Sequence, residues 1–177
     1  MINAFLNGEN MSQIPPWITV ANSLIGTKEI PGSRSNDVIT DWAKVIGGDV
    51  EEDYTTDSIP WCGLFVAYCL AESGIEPVDK PLWALNWNHF GESLKSPLFG
   101  CIISLHRTGG GHTGFVVSHD KSYWHVLGGN QSDMVSVTRI SKESKCYFNF
   151  PKGFDSFKSK LLLKVYDGKV PLSTKFD

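Results

Sequence analysis

The order of patterns along the 177 residues predicts an α+β fold in which N-terminal helices pack on an antiparallel β-sheet. Three observations lead there. In the front half, apolar residues recur at one-face helical spacing with capping and stop residues around them. From Gly100 the texture changes to short β-rich segments separated by turn residues, as in an antiparallel meander. Helices first and strands afterwards, with 41% apolar and 12% aromatic residues to fill a core, place the helices on one sheet within a single domain.

The elements follow in order. Pro15–Pro16 opens a helix in which Trp17, Val20, Ala21 and Leu24 share a face, with Gly26 as its stop. After the turn-rich stretch EIPGSRS, Asn36 caps a second helix with Val38, Trp42, Val45 and Ile46 inward, ending at Gly47–Gly48. Residues 49–57 hold five acids and no base and read as a solvated loop. WCGLFVAYCLAESG, after Pro60, is apolar nearly all round and suits a buried central helix with Gly74 as its C-cap. Residues 82–90 suit a short further helix, and strands are expected at 100–106, 113–118, 123–129, 134–140 and 146–150. From Lys152, the pattern Phe154, Phe157, Leu161–Leu163 and Val165 fits a helix or a strand wrapped on the body. The chain thus reads as one domain, 1–177, with a core at 15–150 and a C-terminal extension at 151–177.

Charge and composition narrow the function classes. The net charge of −3 combines an acidic body, with 10 basic and 16 acidic residues over 1–151, and a tail with six lysines and three aspartates. Nucleic-acid binding leaves a basic, arginine-bearing stripe, but Arg34, Arg107 and Arg139 stand far apart. No apolar run approaches the ~20 residues of a membrane span. The N-terminus lacks the basic start and apolar segment of a signal peptide, so synthesis in the cytoplasm is expected. Cys62, Cys69, Cys101 and Cys146 form no Cys-x-x-Cys pair and have no zinc-finger partners.

One cysteine stands apart. Cys62 falls at the start of the buried helix, where unpaired N–H groups and the helix dipole favour an anion, biasing its thiol toward the nucleophilic thiolate. The other three fit core positions. A thiol nucleophile needs a general base, and His112 follows three glycines in RTGGGHTGFVV, leaving its imidazole uncrowded. Hairpin arithmetic supplies an orienting group. Strands 113–118 and 123–129 flank a turn near Lys121, so partners sum to about 242 and position 112 faces Asn130, with Val116 opposite Val126 and Phe115 opposite Leu127. His125 would face Val117, too far away to orient His112. The side-chain oxygen of Asn130 would then hold the imidazole tautomer, as the third group of a Cys-His-Asn set does.

Together PWCGLFVAYCL, the glycine-rich approach to HTGFVV, and VLGGNQSDMVSV resemble the NlpC/CHAP superfamily of papain-like cell-wall hydrolases. The resemblance is to a bacterial and phage branch with an upstream EIPG segment (Glu29–Gly32, then Asn36), an acid five before the cysteine (Asp57), a PWC helix start, Gly111–Gly114 and Leu127–Gln131. It covers roughly residues 17–150. It implies a papain-like fold with Cys62 as nucleophile, His112 as base and Asn130 as orienting residue. The Cys62 N–H would be one oxyanion donor, Asp57 would bind a substrate ammonium group, Trp61 would wall the cleft, and Gly111 would admit the substrate backbone. The implied activity is hydrolysis of a peptidoglycan amide, by an endopeptidase within the stem peptide or an N-acetylmuramoyl-L-alanine amidase. No cofactor or metal is implied. The expected setting is an antibacterial effector toxin or a phage lysin, delivered to the periplasm or cell wall by a secretion system or a holin. Its partners would be bacterial peptidoglycan and, for an effector, an immunity or inhibitor protein; neither nucleic acid nor membrane insertion is expected. Two other readings compete: a wall-binding module that has lost catalysis, and a metal-dependent hydrolase using His106 with His112, or His119 with His125.

Overall fold

The computed structural model describes residues 14–107, 109–158 and 161–166. Helices α1 (Pro16–Ser23), α2 (Asp37–Ile46), α3 (Gly48–Asp53) and α4 (Cys62–Ala71) come first, followed by a 3-10 helix at Ala84–His89. Strands β1 (Glu92–Leu94), β2 (Ile102–Arg107), β3 (Gly110–His119), β4 (Tyr123–Gly128), β5 (Ser136–Ser141) and β6 (Cys146–Phe150) follow, then the short α5 (Asp155–Lys158). The architecture is α+β, with one six-stranded antiparallel sheet in the order β1-β6-β2-β3-β4-β5.

Local signals place the helices as expected, with one change of phase. Pro16 sits in the first turn of α1, and the Asn36 side chain caps α2 by accepting from the Val38 N–H at 3.0 Å. The buried stripe of α2 is Ile39, Trp42 and Ala43, whereas Val38 and Val45 are each 50% exposed, so those two do not face inward as expected. The i, i+3, i+4 stripe anchored on Trp42 decides the phase, because the largest side chain has most to gain from burial. The acidic run is not all loop: Gly48–Asp53 forms α3, and Asp57 is buried.

Strands β2 to β5 form the expected meander. The last strand departs from it: β6 returns to the free edge of β2 rather than continuing beside β5, and the unforeseen β1 pairs with β6. This return sets Phe150 edge-on to Trp17 at 5.5 Å, tying the sheet to α1. Trp124 of β4 meets Phe148 of β6 at 5.6 Å although two strands lie between them, so the sheet is strongly curled. Helix α4 packs on its other face through Phe65 and Phe115, 6.0 Å apart. The tail combines both expected forms: α5, then an extended stretch in which Val165 bridges His119 in parallel. Residues 167–177 lie outside the described residues.

Helix α4 is buried nearly all round, and its second residue shows how tightly. A Cβ on Gly63 would lie 2.1 Å from the Pro81 carbonyl oxygen and 3.0 Å from that of Leu82, both backbone atoms that cannot turn aside. Gly63→Ala should therefore cost about 3 kcal/mol in urea unfolding, the upper range for overpacking, and an unchanged midpoint would refute this contact.

Candidate active site

The β3–β4 ladder pairs Phe115 with Leu127 and Val116 with Val126, as the hairpin arithmetic expects. Beyond Leu127 the two strands part. The Val116 N–H donates to the Cys101 carbonyl on the β2 side at 2.9 Å, so by strand alternation the Phe115 and Thr113 N–H groups point to the β4 side. With β4 gone at that level, the Thr113 N–H reaches the thiol of Cys62 instead. The first residue of α4 thus meets β3 at the residue after His112.

The other wall of this gap is the turn after β4. Gly129 lies so close to α4 that a Cβ would fall 2.6 Å from both Phe65 Cβ and the Trp61 ring. Asn130 then adopts left-handed backbone, φ 54°, which turns the chain so that Gln131 faces His112. The Nε2 of Gln131 donates to the carbonyls of Val126 (3.3 Å), Gly128 (3.2 Å) and Ser136 (2.5 Å). Its Oε1 accepts from Thr138 Oγ1 at 2.8 Å and lies 3.2 Å from His112 Nε2. With its amide held this way, Gln131 presents an acceptor, so His112 Nε2–H is the donor and Nδ1 carries the ring's lone pair.

This corrects the orienting residue from Asn130 to Gln131. The hairpin ladder stops before position 130, so the extrapolated pairing of 112 with 130 does not form. The Asn130 Oδ1 is buried with no hydrogen-bond partner among the described residues. Gln131 stood within the LGGNQ motif; the signal for it was the pair of glycines ahead, which permit a turn that changes the facing residue.

Both side chains are deeply buried, Cys62 at 4% exposure and His112 at 0%. Burial pushes the Cys62 thiol up in pKa, against the opposing pull of the Thr113 N–H, the Arg107 guanidinium and the N–H groups of Gly63 and Cys62 itself. The expected bias toward thiolate is therefore overturned: the helix-start N–H groups act in that sense, but desolvation outweighs them. Burial also lowers His112 to about 4, with Arg107 adding to the fall and the Gln131 hydrogen bond opposing it. At neutral pH the site holds a thiol and a neutral imidazole.

Three expected substrate-binding residues have structural duties instead. Asp57, 2% exposed, accepts through Oδ2 from the backbone N–H of Ile30 (3.0 Å) and Asn36 (2.8 Å), clamping the EIPG loop rather than meeting an ammonium group. Trp61 is fully buried and donates its indole N–H to Glu29 Oε1 at 2.5 Å, so it underlies the site and walls no cleft. A Cβ on Gly111 would fall 2.8 Å from Leu85, so this glycine accommodates the 3-10 helix rather than substrate.

The remaining histidines lie elsewhere. A bulge after Val116 brings His125 opposite Ser118 rather than Val117. Ser118 Oγ lies 2.7 Å from His125 Nδ1, and His125 Nε2 lies 3.0 Å from Asp120 Oδ2, but Ser118 is wholly buried, which makes this chain a pin for the β3–β4 turn. His106 sits opposite Gly111, on the other face of the sheet from His112. Among the described residues no group of three or more His, Cys, Asp or Glu is placed to hold a metal. No helix among them is long and apolar enough to cross a membrane.

In comparisons with known proteins, no family model, curated protein or solved structure matches the chain.

The depressed His112 pKa carries a pH dependence. A base whose folded pKa lies below its unfolded value of about 6.5 contributes stability above pH 6.5 that is lost as pH falls toward 4. The loss expected is about 3 kcal/mol at ~1.4 kcal/mol per pKa unit. Urea midpoints at pH 7 and pH 4 should therefore fall further in the wild type than in His112→Gln. Equal falls would remove the buried neutral imidazole from the account.

Proposed function

We propose that the chain is a thiol hydrolase of the peptidoglycan peptide, on a papain-like fold of the NlpC/CHAP kind. One observation carries the reading: the thiol of Cys62, at the head of α4, interacts with the backbone N–H of Thr113, the residue that follows a His112 whose Nε2 is fixed by a locked Gln131. The family part of the reading rests on the PWC, Gly-His-x-Gly and LGGNQ resemblance, whose segments meet at this one place.

The chemistry runs as acyl transfer. His112 Nδ1 takes the thiol proton as Sγ attacks the amide carbonyl carbon, forming the S–C bond. The Cys62 N–H at the α4 start donates to the oxyanion. Collapse breaks the C–N bond, and His112 returns the proton to the leaving amine. Water, deprotonated by His112, then hydrolyses the thioester and restores the thiol. Gln131 keeps Nδ1 as the basic nitrogen throughout. Because His112 is lowered to about 4, the acid limb of kcat/KM should fall near that value rather than near 6.5.

Deep burial, which raises the thiol, favours a second reading: a wall-binding module without turnover. Digestion of purified sacculi separates the two. The wild type should release soluble fragments, whose masses assign the bond as stem-peptide or sugar–peptide. Cys62→Ala should release none while melting normally. Gln131→Met should lower kcat about 10²-fold with KM little changed, the scale of a misdirected general base. Binding without release by the wild type would establish the second reading, and full activity of Cys62→Ala would sink the first.

A further inference from the structure

A strip of chain from Pro81 to Leu85 is packed beside both groups of the candidate site. The Leu82 carbonyl oxygen stands 3.0 Å from where a Cβ on Gly63 would be, and the Ala84 Cβ stands 3.3 Å from where one on Gly111 would be. Gly63 follows Cys62 and Gly111 precedes His112, so Trp83, midway along the strip, sits at the rim of the site. Its side chain is 71% exposed, although tryptophan has a large apolar area to gain from burial. Trp83 also lines a cleft of about 230 Å³, together with the buried Val50 and Pro81 and the exposed Asp49, Asp53 and Lys80. A second cleft of about 390 Å³ shares Asp49, Val50, Lys80 and Pro81 with the first and adds Glu76 and Asp79. Along this continuous groove, four carboxylates stand against the single ammonium of Lys80. None of the four joins an ion pair among the described residues. The apolar lining and the open indole make a binding surface, and the charge decides its occupant: a ring face beside uncompensated carboxylates attracts an organic cation.

We infer that this groove binds the substrate peptide by a free ammonium group, held between the Trp83 ring and the carboxylates of Asp49 and Asp53. The occupant is the substrate rather than a separate protein, because Trp83 is joined through Leu82 and Ala84 to the neighbours of both Cys62 and His112. This deepens the thiol-hydrolase reading and rests on it for the role of Cys62. The groove selects a substrate by charge and touches none of the reacting atoms, so specificity and turnover are separable.

Acetic anhydride makes that separation, since it converts the free amines of purified sacculi to neutral amides and leaves the peptide bonds intact. At ~0.15 M salt the wild type should release fragments from untreated sacculi about two- to fivefold faster than from N-acetylated sacculi, the scale of a cation–π contact at an exposed site. Trp83→Ala should bring this ratio toward one, as should Asp49→Asn combined with Asp53→Asn, whereas Trp83→Phe should keep part of it. Glu143→Gln, which removes an exposed carboxylate outside the groove, should leave the ratio unchanged and so excludes an effect of net charge alone. Equal rates on the two substrates, or a ratio that survives Trp83→Ala, overturn the groove and leave Cys62 as nucleophile. Release from neither substrate overturns the hydrolase reading, and co-sedimentation with the same sacculi then tests the groove by itself. Binding that weakens on acetylation and on Trp83→Ala upholds it, and binding indifferent to both overturns it.

Discussion

The parting of β3 from β4 after the Phe115–Leu127 pair is the constraint on which the site depends. A sheet edge cannot leave a buried N–H unmatched without a cost of roughly 1–3 kcal/mol. Once β4 departs, the Thr113 N–H needs an acceptor, and the start of α4 supplies the Cys62 sulfur. The same departure sends the chain into Gly128–Gly129–Asn130, which brings Gln131 across to His112. Had the ladder continued, the gap between the strands would be closed by backbone hydrogen bonds, with room for neither sulfur nor amide.

The sequence motifs around the site act as one interlocked frame. Glu29 receives the indole N–H of Trp61, Asp57 ties Ile30 and Asn36, and the Glu29 N–H reaches the Asp133 carbonyl at 2.9 Å. The Trp61 ring in turn supports Gly129. The EIPG loop, the Asn36 cap and the turn after β4 are thus fastened, directly or through Asp57 and Glu29, to the segment just before Cys62. Each bond contributes only about 0.5–1.5 kcal/mol net, but together they hold the α4 start and the β4 turn in one relation. The placement of Cys62 follows from these polar residues rather than from its own contacts alone.

Much of this was legible in the sequence. The Asn36 cap, the apolar α4 with Cys62 at its head, and the Val116–Val126 register each follow from local rules whose range is a few residues. The errors lie where a local rule was carried past its range. Summing positions to find a partner for His112 presumes an unbroken ladder, and a left-handed residue at 130 exchanges Asn for Gln at the decisive place. The family resemblance implies substrate roles for Asp57 and Trp61, and an acid and an aromatic side chain close before a cysteine fit such roles as readily as structural ones. Only their long-range partners, Ile30, Asn36 and Glu29, reveal the other use. The return of β6 to β2 is likewise non-local, decided by the burial of Phe150 against Trp17.

The resting state of the Cys62–His112 site follows from a contest that desolvation wins. Helix-start N–H groups and Arg107 favour thiolate, but burial of the sulfur disfavours charge more strongly, and burial of the ring disfavours imidazolium as well. A preformed thiolate–imidazolium pair would place two charges in surroundings that penalise both. A neutral pair avoids that penalty and transfers its proton only when the attack itself creates an acceptor for charge. On the proposed mechanism the site therefore works as a serine-type relay built with sulfur, in which the base acts during bond formation rather than before it.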